Sequence, residues 1–246
     1  QNAGQRLTRF DGLVDTNAAG GVDLDGTAFT FNDDVNATGG GVFRVTNAGL
    51  LAIADGAPVL AQGGITQDGA GAVSLGANLT TNGAAVSVLR AVTLLDTAAD
   101  LVTINTTNGG ATTGANVTLS STVNGTASGT QSLAINAGTG GDISFAGAVG
   151  GATRVGTLTI SNAQDVTAAS TVTAGAIRQV AGQQLTQFDG VVDTNTAAGV
   201  DLDGTAFTFN DDVTASGSGI FRVTNSGTMT IASGAPIVAT GAFSQD

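Results

Sequence analysis

The chain has no cysteine, histidine, tryptophan or tyrosine, and no lysine or glutamate: all seven basic residues are arginine and all nineteen acidic ones aspartate. Each absence closes a class of explanation. Without Cys no disulfide can staple the fold, so stability must come from packing and backbone pairing. Without His, Cys, Lys, Glu or Tyr, the usual general bases and nucleophiles reduce to Asp and Ser, and a Ser-His-Asp triad cannot be assembled. The sequence therefore reads as non-enzymatic. The residues that favour exposed helices are nearly gone. A formal net charge of −12 with no basic patch argues against nucleic acid as a partner. The longest apolar run, around 84–95, contains Arg90 and falls short of a membrane span.

What remains is a β vocabulary. Val, Ile and Thr are abundant, and 38 glycines, with Asn and Asp, supply turn chemistry every few residues. Aliphatic content is too high for a disordered chain, and the glycines lack the three-residue period of collagen. The fold class is all-β.

A long internal repeat organises the chain. Residues 1–68 align without gaps on residues 179–246 at an offset of 178, and 47 of the 68 pairs are identical. The run Gly21–Val35, GVDLDGTAFTFNDDV, returns unchanged at Gly199–Val213. Most differences are conservative, such as Val59 to Ile237 and Leu13 to Val191. The division is thus one full unit, 1–178, and the first part of the next, 179–246, which reads as a slice of a longer tandem array.

Within the unit, strand-like runs of three to seven residues alternate apolar with small or polar side chains, the period of a strand with one buried face. They are predicted at Ala28–Phe31, Leu51–Ile53, Val73–Leu75, Val86–Leu89, Val92–Leu95, Val117–Leu119, Ile143–Phe145 and Val166–Val172. Val42–Gly49, Leu101–Asn105, Leu133–Asn136 and Leu158–Asn162 echo one another, in each an Asn following the apolar alternation. Two architectures accommodate this pattern: a parallel β-solenoid or an array of β-sandwiches. The core Trp and corner Tyr of immunoglobulin-like repeats are missing, which favours the solenoid. Coils of roughly 20–25 residues give about seven to nine coils and a rise near 40 Å per unit.

The strings Gly156–Thr167, Gly140–Val149 and Leu119–Gly125 resemble the tandem repeats of very large secreted bacterial proteins. These include β-strand-repeat surface proteins and, more loosely, filamentous-haemagglutinin-type adhesins. The resemblance implies an extracellular or cell-surface β-solenoid forming a fibre, stalk or sheath. Its partners would be neighbouring repeats or other copies of itself; the alternative is an adhesin presenting its surface to glycans or host surfaces. The Gly-Gly-x-Gly-x-Asp runs of calcium-binding nonapeptide repeats do not recur here.

The candidate ligand set is acidic. Asp23 and Asp25, with their copies Asp201 and Asp203, lie two apart and share one face of an extended chain, with Gly26 and Gly204 following. Two carboxylates beside a turn suit Ca²⁺, which takes six to eight oxygens, yet the pattern lacks a third carboxylate and the bidentate Glu of a calcium loop. A solvated acidic turn is the competing reading, and Asp33-Asp34 is open in the same way, either capping a turn or completing such a site. No cofactor is required. Phe29 and Phe31 share one face as core filling, with Ala28 and Thr30 on the other, and Arg44 and Arg222 point outward, in reach of a neighbouring Asp. The Thr-x-Thr pairs at 157/159, 171/173 and 228/230 are too irregular for a flat ice-binding ladder, and the Asn-x-Thr sequons follow from an Asn/Thr-rich composition.

Overall fold

The computed structural model describes residues 1–246. Strands of two to ten residues follow one another along the chain, and the helical structure among the described residues is one 3₁₀ turn at Asn108–Gly110. Every pairing between named strands is parallel, and the strands pair with the coils before and after them. The chain is a parallel β-solenoid of about eleven turns.

Each turn crosses three faces. The first carries Val22–Gly26, then Phe43–Asn47, Ile65–Gln67, Val86–Val88, Val117–Leu119, Ile143–Phe145, Val166–Ala168, Leu185–Phe188, Ala206–Phe209 and Met229–Ile231. The second begins with Leu7–Phe10 beneath Ala28–Phe31 and continues through Leu51–Ile53, Val73–Leu75, Val92–Leu94, Val123–Gly125, Val172–Ala174, Val192–Thr194, Val213–Ala215 and Ile237–Ala239. The third rises from Val14–Thr16 through Val35–Ala37, Val59–Ala61 and Leu79–Thr80 to Leu101–Asn105, Ser132–Asn136 and the Leu158–Ile160 stretch. It ends on Ile177–Gln179, Val200–Gly204, Phe221–Asn225 and Phe243–Gln245.

The pleat explains why these sequences form these faces. Successive side chains alternate sides, so a buried–half-buried–buried triplet such as Val86-Ser87-Val88 sends two residues inward and one out. In-register stacking then lines like upon like. On the second face Phe29, Leu51, Val73, Val92, Val123, Val149, Val172, Val192, Val213 and Ile237 form one column. Burying one such side chain contributes roughly 1.5–3 kcal/mol against ordering entropy. No coil has both sides of its core covered unless another lies on each side, so the stack is stable as a stack.

Corners are set by glycines with positive φ. Gly21 and its copy Gly199 sit at φ 56° and 57°. A Cβ at either would lie 2.1 Å from the carbonyl oxygen of Val42 or Ile220 in the next coil. Both the turn and the close approach demand glycine there.

The predicted strands are found with small adjustments, except that Val166–Val172 is two strands. Val166–Ala168 lies on the first face and Val172–Gln179 starts on the second, because Ala169–Thr171 turns the corner between them. Of the four echoes, three stack directly: Asn105 pairs with Asn136, and Asn136 with Asn162. Phe43–Asn47 belongs to a different face. Their unequal spacing comes from loops, the longest lying between Asn105 and Val117.

The 178-residue repeat does not return to its own face. Rising from Asp23, the register partners are Arg44, Thr66, Ser87, Thr118, Ser144, Thr167, Gln187 and, eight turns up, Thr208. Thr208 is the copy not of Asp23 but of Thr30, which lies one face further along the chain. Asp201, the true copy of Asp23, sits on the third face, above Arg178, Thr159 and Ala134. One unit therefore advances seven and two-thirds turns.

Candidate functional site

The chemistry this rod offers lies in its outward rows of polar side chains. Asp23 and Asp25 project outward from the same strand, as the spacing predicts, but the coil above sets Arg44 and Thr46 against them in register. Arg44 reaches Asp23 Oδ1 at 3.6 Å and binds Asp68 more closely, Nε at 3.1 Å and Nη2 at 2.7 Å from Oδ2. Thr46 Oγ1 donates to Asp68 Oδ1 at 2.5 Å. The Thr46 hydroxyl first, and Arg44 second, hold the Asp68 carboxyl below the usual carboxylate range. Arg44 in turn is held more firmly protonated, mainly by Asp68.

The second copy keeps the residues and changes the partner. Arg222 makes a two-pronged contact with Asp201, Nε–Oδ1 2.6 Å and Nη2–Oδ2 2.8 Å, the fork geometry that suits guanidinium to carboxylate. Asp246, the copy of Asp68, acts on Arg222 only through its charge. Thus Asp23 and Asp201 are the anionic halves of ion pairs. Asp203 contributes its backbone carbonyl to Gln179 Nε2 at 3.2 Å. Among the described residues no three His, Cys, Asp or Glu side chains come together in a group able to hold a metal ion. Exposed pairs of this kind stabilise by at most about 1 kcal/mol.

Other aspartates hold turns. Asp33 Oδ1 accepts the backbone N–H of Asp34 at 2.8 Å, and Asp211 does the same for Asp212. Asp11 accepts from Asn32 Nδ2 at 2.7 Å and lies 2.5 Å from Arg9 Nε, and both contacts lower its pKa, Asn32 most. Asp189 accepts from Asn210 at 2.7 Å in the second copy. One ion pair is better shielded. Arg154 donates to Ala174 O at 2.7 Å, Asp193 O at 3.0 Å and Asp193 Oδ2 at 2.5 Å, with its side chain 16% exposed. It ties its own coil to the next two at the corner between the second and third faces.

Sequence reasoning missed the buried amides. Gln67 and Asn47 are almost fully buried, and Gln67 Nε2 donates to Asn47 Oδ1 at 2.7 Å and to the Gly69 and Gly71 carbonyls at 3.2 Å. Gln67 Oε1 accepts from the backbone N–H groups of Leu89 and Arg90. Gln179 and Thr186 repeat the device with a 2.9 Å bond. The signal was present: Asn47 and Gln67 each close a strand whose alternation points them inward.

In the last coil the inward-facing Ile231 and Phe243 are 45% and 56% exposed. Ile53 and Ile65, the first-copy equivalents of Ile231 and Phe243, are 2% and 3% exposed. They are covered by the coil carrying Val73, Leu75 and Val86. The surface depressions are shallow and open, and no helix is long and apolar enough to cross a membrane.

Comparison with known proteins returns no matching family model, no matching curated protein and no matching solved structure.

Proposed function

We propose that this chain is a structural module of an extracellular bacterial fibre, stalk or sheath, built from tandem 178-residue units and lengthened by stacking coil on coil. The observation that carries the reading is that parallel ladders on all three faces and one aliphatic core run the length of the rod and pass without a break from one 178-residue unit into the next. Stability in such a stack grows with each added interface, so length comes from repetition. The outward rows of Thr, Asn and paired Asp keep the sides hydrated, and the net negative charge opposes indiscriminate lateral aggregation.

Electron microscopy of the native material tests this reading. Long filaments whose axial features recur near 37 Å, seven and two-thirds turns at about 4.8 Å each, are the expected result. Isolated particles that bind a glycan array and never elongate would replace the fibre with an adhesin.

A further inference from the structure

The outward display of the unit follows from its fractional number of turns. The same fifteen residues occupy different faces in the two copies: Phe29 and Phe31 lie on the second face, whereas Phe207 and Phe209 lie on the first. Val35–Ala37 lies on the third face and Val213–Ala215 on the second. The local packing is nevertheless reproduced. Phe10 stacks on Phe31 at 4.8 Å and 8°, and Phe188 on Phe209 at 5.5 Å and 5°. Phe31 meets Phe43 edge-on at 5.3 Å and 63°, and Phe209 meets Phe221 at 5.6 Å and 61°. The three faces therefore accept the same sequence interchangeably, and the repeat length, not the face, decides where a motif points.

We infer that a tandem array of this unit is a rod with threefold screw symmetry. Each unit steps about 37 Å along the axis and backs up one third of a turn, before any slow twist of the coils, and the array comes into line after three units, twenty-three turns, near 110 Å. Every unit-borne surface, the Asp23/Arg44 row among them, is then displayed in three rows around the rod. A lateral partner that recognises one unit, including a second rod of the same kind, meets its site on three sides, which suits a bundle or sheath better than a flat ribbon. This rests on the tandem-fibre reading for the array, but the rotation itself is a property of the single chain.

Two measurements separate these parts. The chain has no native Cys, so spin labels can be placed freely. Asp55 and Thr240 occupy the same corner eight turns apart, while Ser233, the copy of Asp55, lies slightly lower along the axis and one corner round. In the full chain, the pair Asp55→Cys/Ser233→Cys is expected to be farther apart than Asp55→Cys/Thr240→Cys despite its smaller rise. A shorter 55–233 distance would place the copies in one row and overturn the screw. Should either variant fold poorly, Asp33→Cys/Asp211→Cys against Asp33→Cys/Ser216→Cys makes the same comparison. The full chain is then extended by two further units with one gold-labelled Cys per unit at the Asp55 position. Labels in three rows, aligned every third unit near 110 Å, support the array; a single row near 37 Å contradicts it. If the extended chain forms no rod while the distance order holds, the tandem-fibre reading fails and the rotation stands.

Discussion

Replacing Phe31 by Ala probes the stack where it is easiest to open. Phe31 is fully buried and held between Phe10, face to face at 4.8 Å, and Phe43, edge-on at 5.3 Å. Removing a buried Phe costs about 3–5 kcal/mol through lost transfer and the cavity left behind, and each aromatic pair accounts for about 0.5–1.5 kcal/mol beyond simple burial. In a globular core this loss would spread over the whole molecule. In a solenoid each coil touches only its neighbours, and Gly4–Phe10 has no strand beneath it, being held from above by Gly26–Phe31. The loss should therefore appear as local opening. Native-state hydrogen exchange read by mass spectrometry checks this. Protection is expected to collapse over residues 4–16, to fall over 22–53, and to stay unchanged over Leu101–Asn162. Phe209→Ala, the same residue in the second copy, should mirror the effect at the other end and leave residues 4–53 untouched. A uniform drop along the chain in either variant would refute the one-dimensional account.

Other expectations follow from the polar contacts. Arg154→Met removes three hydrogen bonds from a largely shielded clamp and should cost about 1–3 kcal/mol in chemical denaturation; Asp193→Asn, which keeps the backbone acceptor, should cost less. Asp68 is bound more tightly as a carboxylate in the folded chain, so its contribution is complete above its unfolded value of 3.8 and is lost as pH falls through its lower folded value. Asp68→Asn should flatten that acid limb of an unfolding-midpoint titration. Gln67→Leu leaves the backbone N–H of Arg90 and the Asn47 side-chain oxygen without their partner, and should lower the thermal midpoint by several degrees. Chelator treatment should leave the midpoint where it is, and Asp25→Ala likewise; a fall reversed by Ca²⁺ would support the cation reading for Asp23, Asp25, Asp201 and Asp203.

Strand positions were legible because a two-residue alternation needs only local sequence. Val73-Ser-Leu75 or Val117-Thr-Leu119 can bury two side chains in no other extended arrangement. The face each strand occupies was not legible, since it depends on how many residues each corner consumes. Phe43–Asn47 looks like Leu101–Asn105 yet lies on another face, and the corner at Ala169–Thr171 carries no Gly or Pro to mark it. The outward Asp and Arg were identifiable by parity, but their partners lie one coil away, at separations of 21 to 24 residues set by the same corners. The one-third rotation of the repeat has the same origin: nothing in 178 residues of sequence states that they make a fractional number of turns.

The direction of the strands relative to the long axis separates the solenoid fibre from its nearest rival most directly. X-ray diffraction from aligned filaments of the native material is predicted to place the inter-strand reflection near 4.8 Å on the meridian, because coils stack along the axis. The same reflection on the equator, as strands running along the axis of a sandwich array would give, would contradict the account.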